Sequence, residues 1–132
     1  MADDYEFETE VQVRYRDVDE MGHVNNAVYA TYLEQARTAY FREVIDTSLA
    51  ETSIVLASLS IDFRNSIQLG DEVTVALGVP ELGDSSIPME YEIRLADGTV
   101  AATGETVQVA FDREERTPRP IPGEWREAIE GA

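Results

Sequence analysis

Cysteine and lysine are both absent from the 132 residues of this chain. Without cysteine, neither a disulfide framework nor a thiolate metal site can form, and the absence is consistent with a cytosolic protein. The single histidine, His23, leaves few ways to build a metal site. No run of 18 apolar residues occurs, and the first ten residues are acidic, unlike a secretory signal. We therefore expect a cytoplasmic protein without a metal ion, another cofactor or a membrane contact.

Positive charge is scarce, since ten arginines stand against 27 aspartates and glutamates, for a formal net charge of −17. This balance disfavours nucleic-acid binding. The acids are spread along the chain, a composition typical of halophilic proteins. At 1 M salt the Debye length falls to about 3 Å, so self-repulsion at this charge becomes tolerable. We expect folding to be lost in dilute buffer; an acidic protein of ordinary salinity is the alternative.

The length and the 43% hydrophobic content predict one globular domain, residues 1–132, that buries roughly two-thirds of its unfolded surface. Apolar and polar residues alternate from Thr9 to Arg16, which predicts a first strand. Its expected buried face carries Val11, Val13 and Tyr15.

A long helix is predicted after the loop Asp17 to Val24, because Asn25 and Asn26 are favourable N-cap residues. Apolar residues then recur at helical spacing, at Tyr29, Leu33, Ala36, Tyr40 and Val44. Continued to about Ile45, the helix is roughly 30 Å long at 1.5 Å per residue. Further apolar residues widen its buried stripe, so we expect a central element.

Four alternating segments follow, and each predicts a strand with one buried face. The expected buried residues are Ala57, Leu59, Ile61 and Phe63; Val73, Val75, Leu77 and Val79; Met89, Tyr91, Ile93 and Leu95; and Val107, Val109 and Phe111. Asp97-Gly98 predicts a tight antiparallel hairpin. Three prolines in the tail prevent a further central strand, and a short helix is expected from Glu124 to Ile129. The pattern indicates an α+β architecture in which an antiparallel sheet curls around one helix.

The most unusual cluster of residues runs from Asp17 to Asn26, between the first strand and the helix. It places carboxylates beside free N–H groups and the positive end of a helix dipole, which can stabilise an oxyanion by several kcal/mol in an excluded site. A capped helix with solvated acids is the plainer interpretation. The chain lacks a G-x-S-x-G elbow, a phosphate loop, H-E-x-x-H and a Cys-His pair. Acid/base or carboxylate-nucleophile chemistry remains.

Specific motifs in this region resemble the 4-hydroxybenzoyl-CoA thioesterase branch of the hotdog superfamily. They are D-x-D-x-x-G-H-V-N-N from Asp17 to Asn26 and Y-x-x-Y-x-E-x-A-R from Tyr29 to Arg37, with supporting fragments at 63–73 and 111–122. The resemblance implies a hotdog fold, a five-stranded antiparallel sheet wrapped around one long helix. It also implies a homodimer with edge-to-edge sheets, or a homotetramer of such pairs.

The resemblance assigns the catalytic carboxylate to Asp19, as nucleophile or as general base on water. It assigns Asp17 mainly to supporting the loop. The backbone N–H of Asn26 would polarise the thioester carbonyl, with Asn25 close by and Gly22 permitting the tight turn. One subgroup has histidine at the position of Asn26; the form here resembles the subgroup that acts on longer fatty acyl-CoAs.

Several further residues have two interpretations each. His23 could position water or substrate, or it could hydrogen-bond within the loop. Tyr29, Tyr32, Glu34 and Arg37 favour helix packing and a Glu34–Arg37 ion pair at i, i+3 spacing, although Tyr15 and Tyr29 are also candidates to line the acyl pocket. Four arginines are candidate ligands for the CoA phosphates, although they could equally form surface ion pairs: Arg64, Arg113, Arg116 and Arg119.

Three functions are therefore compared. Hydrolysis of an acyl-CoA to free acid and CoA is favoured by the motif and needs no cofactor. Hydrolysis of acyl groups on a carrier protein is the second, although two acidic surfaces attract each other poorly. A non-catalytic acyl-CoA-binding module is the third, and it is disfavoured because Asp19 is retained and 132 residues leave no room for a DNA-reading output domain.

Overall fold

A computed structural model of the chain describes residues 5–46 and 53–132, so the acidic start at residues 1–4 lies outside the described part. In chain order the elements are β1 (Phe7–Gln12), α1 (Asn26–Tyr40), β2 (Ile54–Phe63), β3 (Glu72–Gly78), β4 (Ser86–Leu95), β5 (Val100–Asp112), β6 (Thr117–Pro118) and α2 (Gly123–Glu130). The strands form one antiparallel sheet in the order β1-β3-β4-β5-β2, and the two-residue β6 pairs with β5. The sheet curls around α1, which confirms the predicted α+β hotdog fold.

The central helix has nearly the predicted extent. Asn25 caps α1, since its side-chain oxygen accepts a hydrogen bond from the Ala27 N–H at 3.0 Å. The helix continues beyond Tyr40 as one π-helical turn, Phe41–Ile45, and stops at Asp46 in the left-handed conformation, φ 65°. Its buried side packs on the sheet through Tyr29, Tyr32, Leu33, Ala36, Arg37, Ala39 and Tyr40.

The first strand is shorter than predicted. It ends at Gln12, and Tyr15–Asp17 forms a 3-10 turn that begins the loop before α1. Tyr15 is 83% exposed and does not share a buried face with Val11. The predicted strand extends too far because Arg14 and Asp17 close a hydrogen-bonded turn. In this turn the Arg14 N–H donates to the Asp17 carboxylate at 2.9 Å.

The buried face of β5 is the opposite of the one predicted. Thr106, Gln108 and Ala110 point to the core, while Val107 and Val109 are only half-buried on the outer face. The apolar pattern was misleading because the two inward polar side chains have partners in the core. The Thr106 hydroxyl lies 2.6 Å from the Tyr91 hydroxyl, and the Gln108 amide donates to the Ile87 carbonyl at 2.8 Å.

The strand β2 was predicted to bury one face, and within this chain it does not. Leu56, Leu59 and Phe63 point toward the helix side of the sheet, yet they are 47%, 43% and 49% exposed. β2 is the last strand of the sheet and is hydrogen-bonded only to β5. A bulge between Leu56 and Ser58 shifts its register, so Ala57 does not belong to the alternation.

The predicted hairpin and the predicted tail helix are confirmed. Asp97 and Gly98 form the turn between β4 and β5, where Gly98 has φ 89° and the Asp97 carboxylate accepts from the Thr99 N–H at 2.9 Å. The tail ends in α2, whose Trp125 packs edge-on against Phe41 with ring centroids 6.2 Å apart. Within residues 5–46 and 53–132, no helix has the length and apolarity to cross a bilayer.

Candidate active site

The loop before α1 is folded around the carboxylate of Asp19. Its Oδ1 accepts the backbone N–H groups of Met21 at 2.9 Å and His23 at 3.1 Å, and its own N–H donates to the His23 carbonyl at 2.8 Å. Gly22 completes this turn with φ 80°, a conformation that favours glycine. The turn uses one carboxylate oxygen, and no described residue donates a hydrogen bond to Oδ2 of this exposed side chain.

Asp17 is engaged differently from Asp19. Its Oδ2 accepts from the Arg14 N–H and from the Tyr32 hydroxyl, both at 2.9 Å, and its carbonyl accepts from the Asn25 N–H at 2.9 Å. Burial, together with the hydrogen bond to the Asp17 carboxylate, raises the pKa of Tyr32 well above its usual range. Tyr32 therefore remains a neutral donor, and Asp17 ties the loop to the helix.

A second segment of chain, residues 66–69, holds the loop from the other side. The Val24 N–H donates to the Ile67 carbonyl at 2.7 Å, and the Leu69 N–H donates to the Gly22 carbonyl at 3.2 Å. His23 also forms an isolated antiparallel bridge with Gln68. These contacts fix the turn around Asp19 relative to the start of α1.

The start of α1 presents a free donor to this loop. Asn25 caps the Ala27 N–H, and the described residues offer no acceptor to the backbone N–H of Asn26. The first N–H groups of a helix lack intrahelical partners and carry the positive end of its dipole. An open cavity of about 320 Å³ lies over this end, lined by Asp19, His23, Val24, Asn25, Asn26, Tyr29 and Ser66. A carboxylate and an anion-stabilising donor therefore face the same space.

Tyr29 connects this cavity with β2. Its ring meets Phe63 edge-on, with centroids 5.0 Å apart, and its hydroxyl donates to the Asn65 carbonyl at 3.2 Å. Burial raises the pKa of Tyr29, so it is a neutral donor at neutral pH. Arg64 lies between Phe63 and Asn65 and is exposed, with its N–H donating to the Ala101 carbonyl at 2.8 Å.

The structure brings together only part of the predicted site. Asp19, His23, Asn25, Asn26 and Tyr29 line the cavity, and Gly22 lies in the turn around Asp19 beside it. Tyr15 is exposed in the 3-10 turn and is not among the cavity-lining residues. The predicted Glu34–Arg37 ion pair is wrong: Glu34 is exposed, whereas Arg37 is buried and donates to the Tyr91 hydroxyl at 3.4 Å.

The tail arginines lie at the other end of β5. Arg113 and Arg116 are exposed on the turn after Asp112, whereas Arg64 and Asn65 are bonded near Val100 and Ala101. Val100 and Asp112 are twelve residue steps apart, which span about 40 Å at roughly 3.3 Å each. Arg119 is half-buried and stacks on Trp125, 5.7 Å from the ring centroid. Within one chain these three arginines do not join the cavity.

Two contributors were not predicted from the sequence. Ser66 lines the cavity and Phe63 packs on Tyr29, although both belong to the fragment 63–73 that carried the resemblance. That fragment was the available signal, and it gave no role to either residue.

Across the described parts of the chain, no three His, Asp or Glu side chains are arranged to hold a metal ion. The absence of a cofactor stays a prediction.

Comparison with known proteins gives the family. Residues 13–129 match the model of the thioesterase-like superfamily. The acyl-CoA thioesterase YbgC of Haemophilus influenzae is 31% identical over 129 residues, 93% of each chain, and the long-chain acyl-CoA thioesterase FadM of Escherichia coli is 28% identical over 130 residues, 93% of this chain and 96% of FadM.

A solved structure has the same fold. A thioesterase from Thermus thermophilus, complexed with coenzyme A and Zn, superposes with a TM-score of 0.85 at 39% identity, covering 95% of this chain and 98% of the other. The matched residues include the whole loop and helix that build the cavity. The chain therefore belongs to the thioesterase-like superfamily and is a thioester hydrolase.

Proposed function

We propose that the chain hydrolyses an acyl-CoA to the free acid and CoA, with Asp19 as the catalytic carboxylate. One observation carries the proposal: Asp19 and the N-terminal end of α1 line the same cavity. The relatives named above act on acyl-CoA or hold coenzyme A, which supports this substrate class over acyl carrier proteins and over a module that only binds.

In the general-base route, Oδ2 of Asp19 takes a proton from water as the water oxygen attacks the thioester carbon. The carbonyl oxygen becomes an oxyanion held by the Asn26 N–H and the helix dipole. Collapse of this intermediate breaks the carbon–sulfur bond, and the CoA thiolate takes the proton back. In the nucleophilic route the same carboxylate attacks the thioester carbon first and expels CoA thiolate, which leaves a mixed anhydride. Water then hydrolyses the anhydride to the free acid and the Asp19 carboxylate, and the proton released goes to the thiolate.

The acyl group is proposed to lie in a groove that we name the acyl trough. It would be bounded by the inner face of β2, with Leu59, Ile61 and Phe63, and by the side of α1 that carries the buried Tyr29 and Leu33. The Tyr29–Phe63 contact links its upper end to the cavity. The half-exposed apolar side chains of β2 are suited to an alkyl or aryl group, because burying them on binding removes apolar surface from water.

A homodimer is proposed because β2 has a free edge and half-exposed apolar side chains in the single chain. An unpaired edge strand of ten residues with apolar side chains is a template for pairing with another chain, and a second copy would cover it. Antiparallel pairing of two β2 strands would set the Ile54 end of one copy beside the Phe63 end of the other. Arg113 and Arg116 of the second copy would then approach the first copy's Arg64, as a composite site for CoA phosphates.

The activity test is release of CoA thiol from aromatic and aliphatic acyl-CoAs in 2 M KCl. We expect turnover with acyl-CoA and slower turnover with the same acyl groups on a carrier protein. Faster turnover on the carrier would show that acyl carrier proteins, and not acyl-CoAs, are the preferred substrates. Binding without any thiol release would instead leave the module that only holds ligand.

The dimer test compares two leucines of equal exposure, Leu56 on β2 and Leu69 on the loop after it, both 47% exposed. Leu56→Glu is expected to give a monomer by light scattering and Leu69→Glu to keep the wild-type mass. An unchanged mass in Leu56→Glu would contradict pairing through β2. In the dimeric Leu69→Glu background, Arg113→Gln and Arg116→Gln are expected to raise KM for acyl-CoA if the composite site is correct.

A further inference from the structure

The inner face of β5 carries polar groups where the core pattern calls for apolar ones. Thr106 is 1% exposed and Gln108 is 2% exposed, while Val107 and Val109 face outward and remain half-buried. Exchanging the two faces would bury valines and expose polar groups, so stability alone does not account for this arrangement. Departures from the binary pattern concentrate at functional sites.

Arg37 of α1 reaches the same place from the opposite wall. It is 7% exposed, and its Nη1 donates to the Tyr91 hydroxyl at 3.4 Å, which lies 2.6 Å from the Thr106 hydroxyl. No carboxylate of the described residues lies within 4.0 Å of the guanidinium, although the chain carries 27 acidic residues. A guanidinium has five N–H donors, and the one hydrogen bond described for Arg37 is long. Its other nitrogens are not among the fully buried atoms that lack a partner, so they are open to an incoming acceptor. Gln108 Oε1 is also buried without a described partner.

This polar group marks the inner end of the acyl trough. Thr106 is the cross-strand neighbour of Leu59, and Tyr91 and Ile61 both flank Gly104, so the polar groups adjoin the apolar wall of β2. Arg37 follows Asn26 by eleven residues, about 16 Å along the helix axis. Because helical side chains lean toward the N-terminus, the guanidinium lies closer to the cavity than that. An acyl group of medium length would therefore be long enough to reach from the Asn26 N–H to Arg37.

We propose that Arg37, supported by Tyr91 and Thr106, binds an oxygen acceptor at the far end of the acyl group, best a carboxylate. This inference rests on the proposed acyl-CoA thioesterase function. A carboxylate would supply the missing charge-assisted hydrogen bonds, whereas a saturated chain would press a methyl group against the guanidinium without replacing any. The preferred substrate class is thus an ω-carboxylated acyl-CoA, and Arg37 is a specificity-determining residue.

The proposed preference for a terminal carboxylate can be tested on the wild-type protein. Acyl-CoAs of six to twelve carbons are prepared in matched sets that end in methyl, carboxamide or carboxylate, and kcat/KM is measured for each by thiol release in 2 M KCl. We expect the carboxylate-ended member to exceed the methyl-ended member by at least about tenfold at the best length, with the carboxamide between them. Equal or reversed values overturn the proposal while hydrolysis itself upholds the proposed function. No hydrolysis of any acyl-CoA removes both.

Variants assign the preference to one residue. Arg37→Met is expected to lower the carboxylate-to-methyl ratio of kcat/KM at least about tenfold, mainly through KM, and Arg37→Lys to restore part of it. Arg42→Met, an exposed arginine of the following π-turn, is the matched control and is expected to keep the wild-type ratio. A structural role alone would lower all substrates equally and leave the ratio unchanged, which would overturn the assignment. Thermal melts verify folding, and the wild-type substrate series stands if Arg37→Met does not fold.

Discussion

The two halves of the sheet differ in how they are buried. In the closed half, β1, β3 and β4, the inner residues are sealed against α1: Val75, Leu77 and Ile93 are at most 1% exposed. In the open half, β2 and β5, apolar side chains of β2 are half exposed and polar side chains of β5 point inward. The closed half stabilises the fold, and the open half is where we propose that the ligand and a second copy bind.

The largest effect on stability is expected in the closed half. Leu77→Ala removes a side chain with 0% exposure and should lower the free energy of unfolding by about 2–5 kcal/mol at every protein concentration. Leu59→Ala, at 43% exposure, should cost less, and its cost should grow with protein concentration because the proposed second copy would complete the burial of Leu59. Chemical denaturation at two protein concentrations measures both. Equal, concentration-independent losses would contradict the division into halves.

Two buried tyrosines that contact different halves sharpen the comparison at an intermediate scale. The Tyr91 hydroxyl of β4 lies against Thr106 of β5 in the open half, and Tyr40 of α1 packs on Phe7 of β1 in the closed half. Tyr91→Phe removes a hydroxyl that contacts Thr106 and Arg37, so we expect a loss of about 1–3 kcal/mol. The Tyr40 hydroxyl of the closed half is buried without a described partner, so Tyr40→Phe should be neutral or stabilising by up to about 1 kcal/mol. Denaturation of both variants at pH 7 tests this. A larger loss in Tyr40→Phe than in Tyr91→Phe would reverse the interpretation.

The pH dependence of the same variants has a definite sign. Burial raises the pKa of both tyrosines above the ordinary value of 10.0, so the unfolded chain loses these protons first as pH rises. Stability is therefore unaffected below about pH 10 and falls above it, by up to about 1.4 kcal/mol per pH unit for each group. Tyr40→Phe should lessen this alkaline loss, measured as the slope of unfolding free energy from pH 9 to pH 11. A slope equal to that of the wild type would contradict it.

The smallest effect concerns the outer face of the sheet. Glu90 and Glu105 are directly paired across β4 and β5, so two like charges oppose each other. Glu105→Gln should stabilise the protein by a few tenths of a kcal/mol in 0.1 M KCl and by almost nothing in 3 M KCl, where the repulsion is screened. The wild type should melt at higher temperature in the stronger salt. A melting temperature that is the same in both would contradict salt adaptation.

The parts of the fold that were predicted correctly are those set by local sequence. The Asn cap and the helical spacing after it determine α1, and Asp97-Gly98 determines a hairpin, because each depends on neighbours in the chain. The loop motif likewise identified most residues of the cavity. These signals need no knowledge of the tertiary partners.

The errors arose where tertiary partners decide. Thr106 and Gln108 face inward only because Tyr91 and the Ile87 carbonyl meet them there, and neither partner is visible from spacing. Arg37 contacts Tyr91 across 54 positions instead of Glu34 at i, i+3. The exposure of β2 depends on what covers an edge strand, which the pattern of one chain does not contain. The open half was therefore harder to predict than the closed half.

The most direct test of the account is the rate of CoA release by Asp19→Asn beside Asp17→Asn, both near-isosteric, with the best acyl-CoA. If Asp19 is the catalytic carboxylate, Asp19→Asn should lower kcat at least about a hundredfold, near 3 kcal/mol, with little change in melting temperature. Asp17→Asn should chiefly lower stability, since that carboxylate holds Tyr32 and the loop. A folded Asp19→Asn enzyme that keeps more than about a tenth of the wild-type kcat would contradict the central claim.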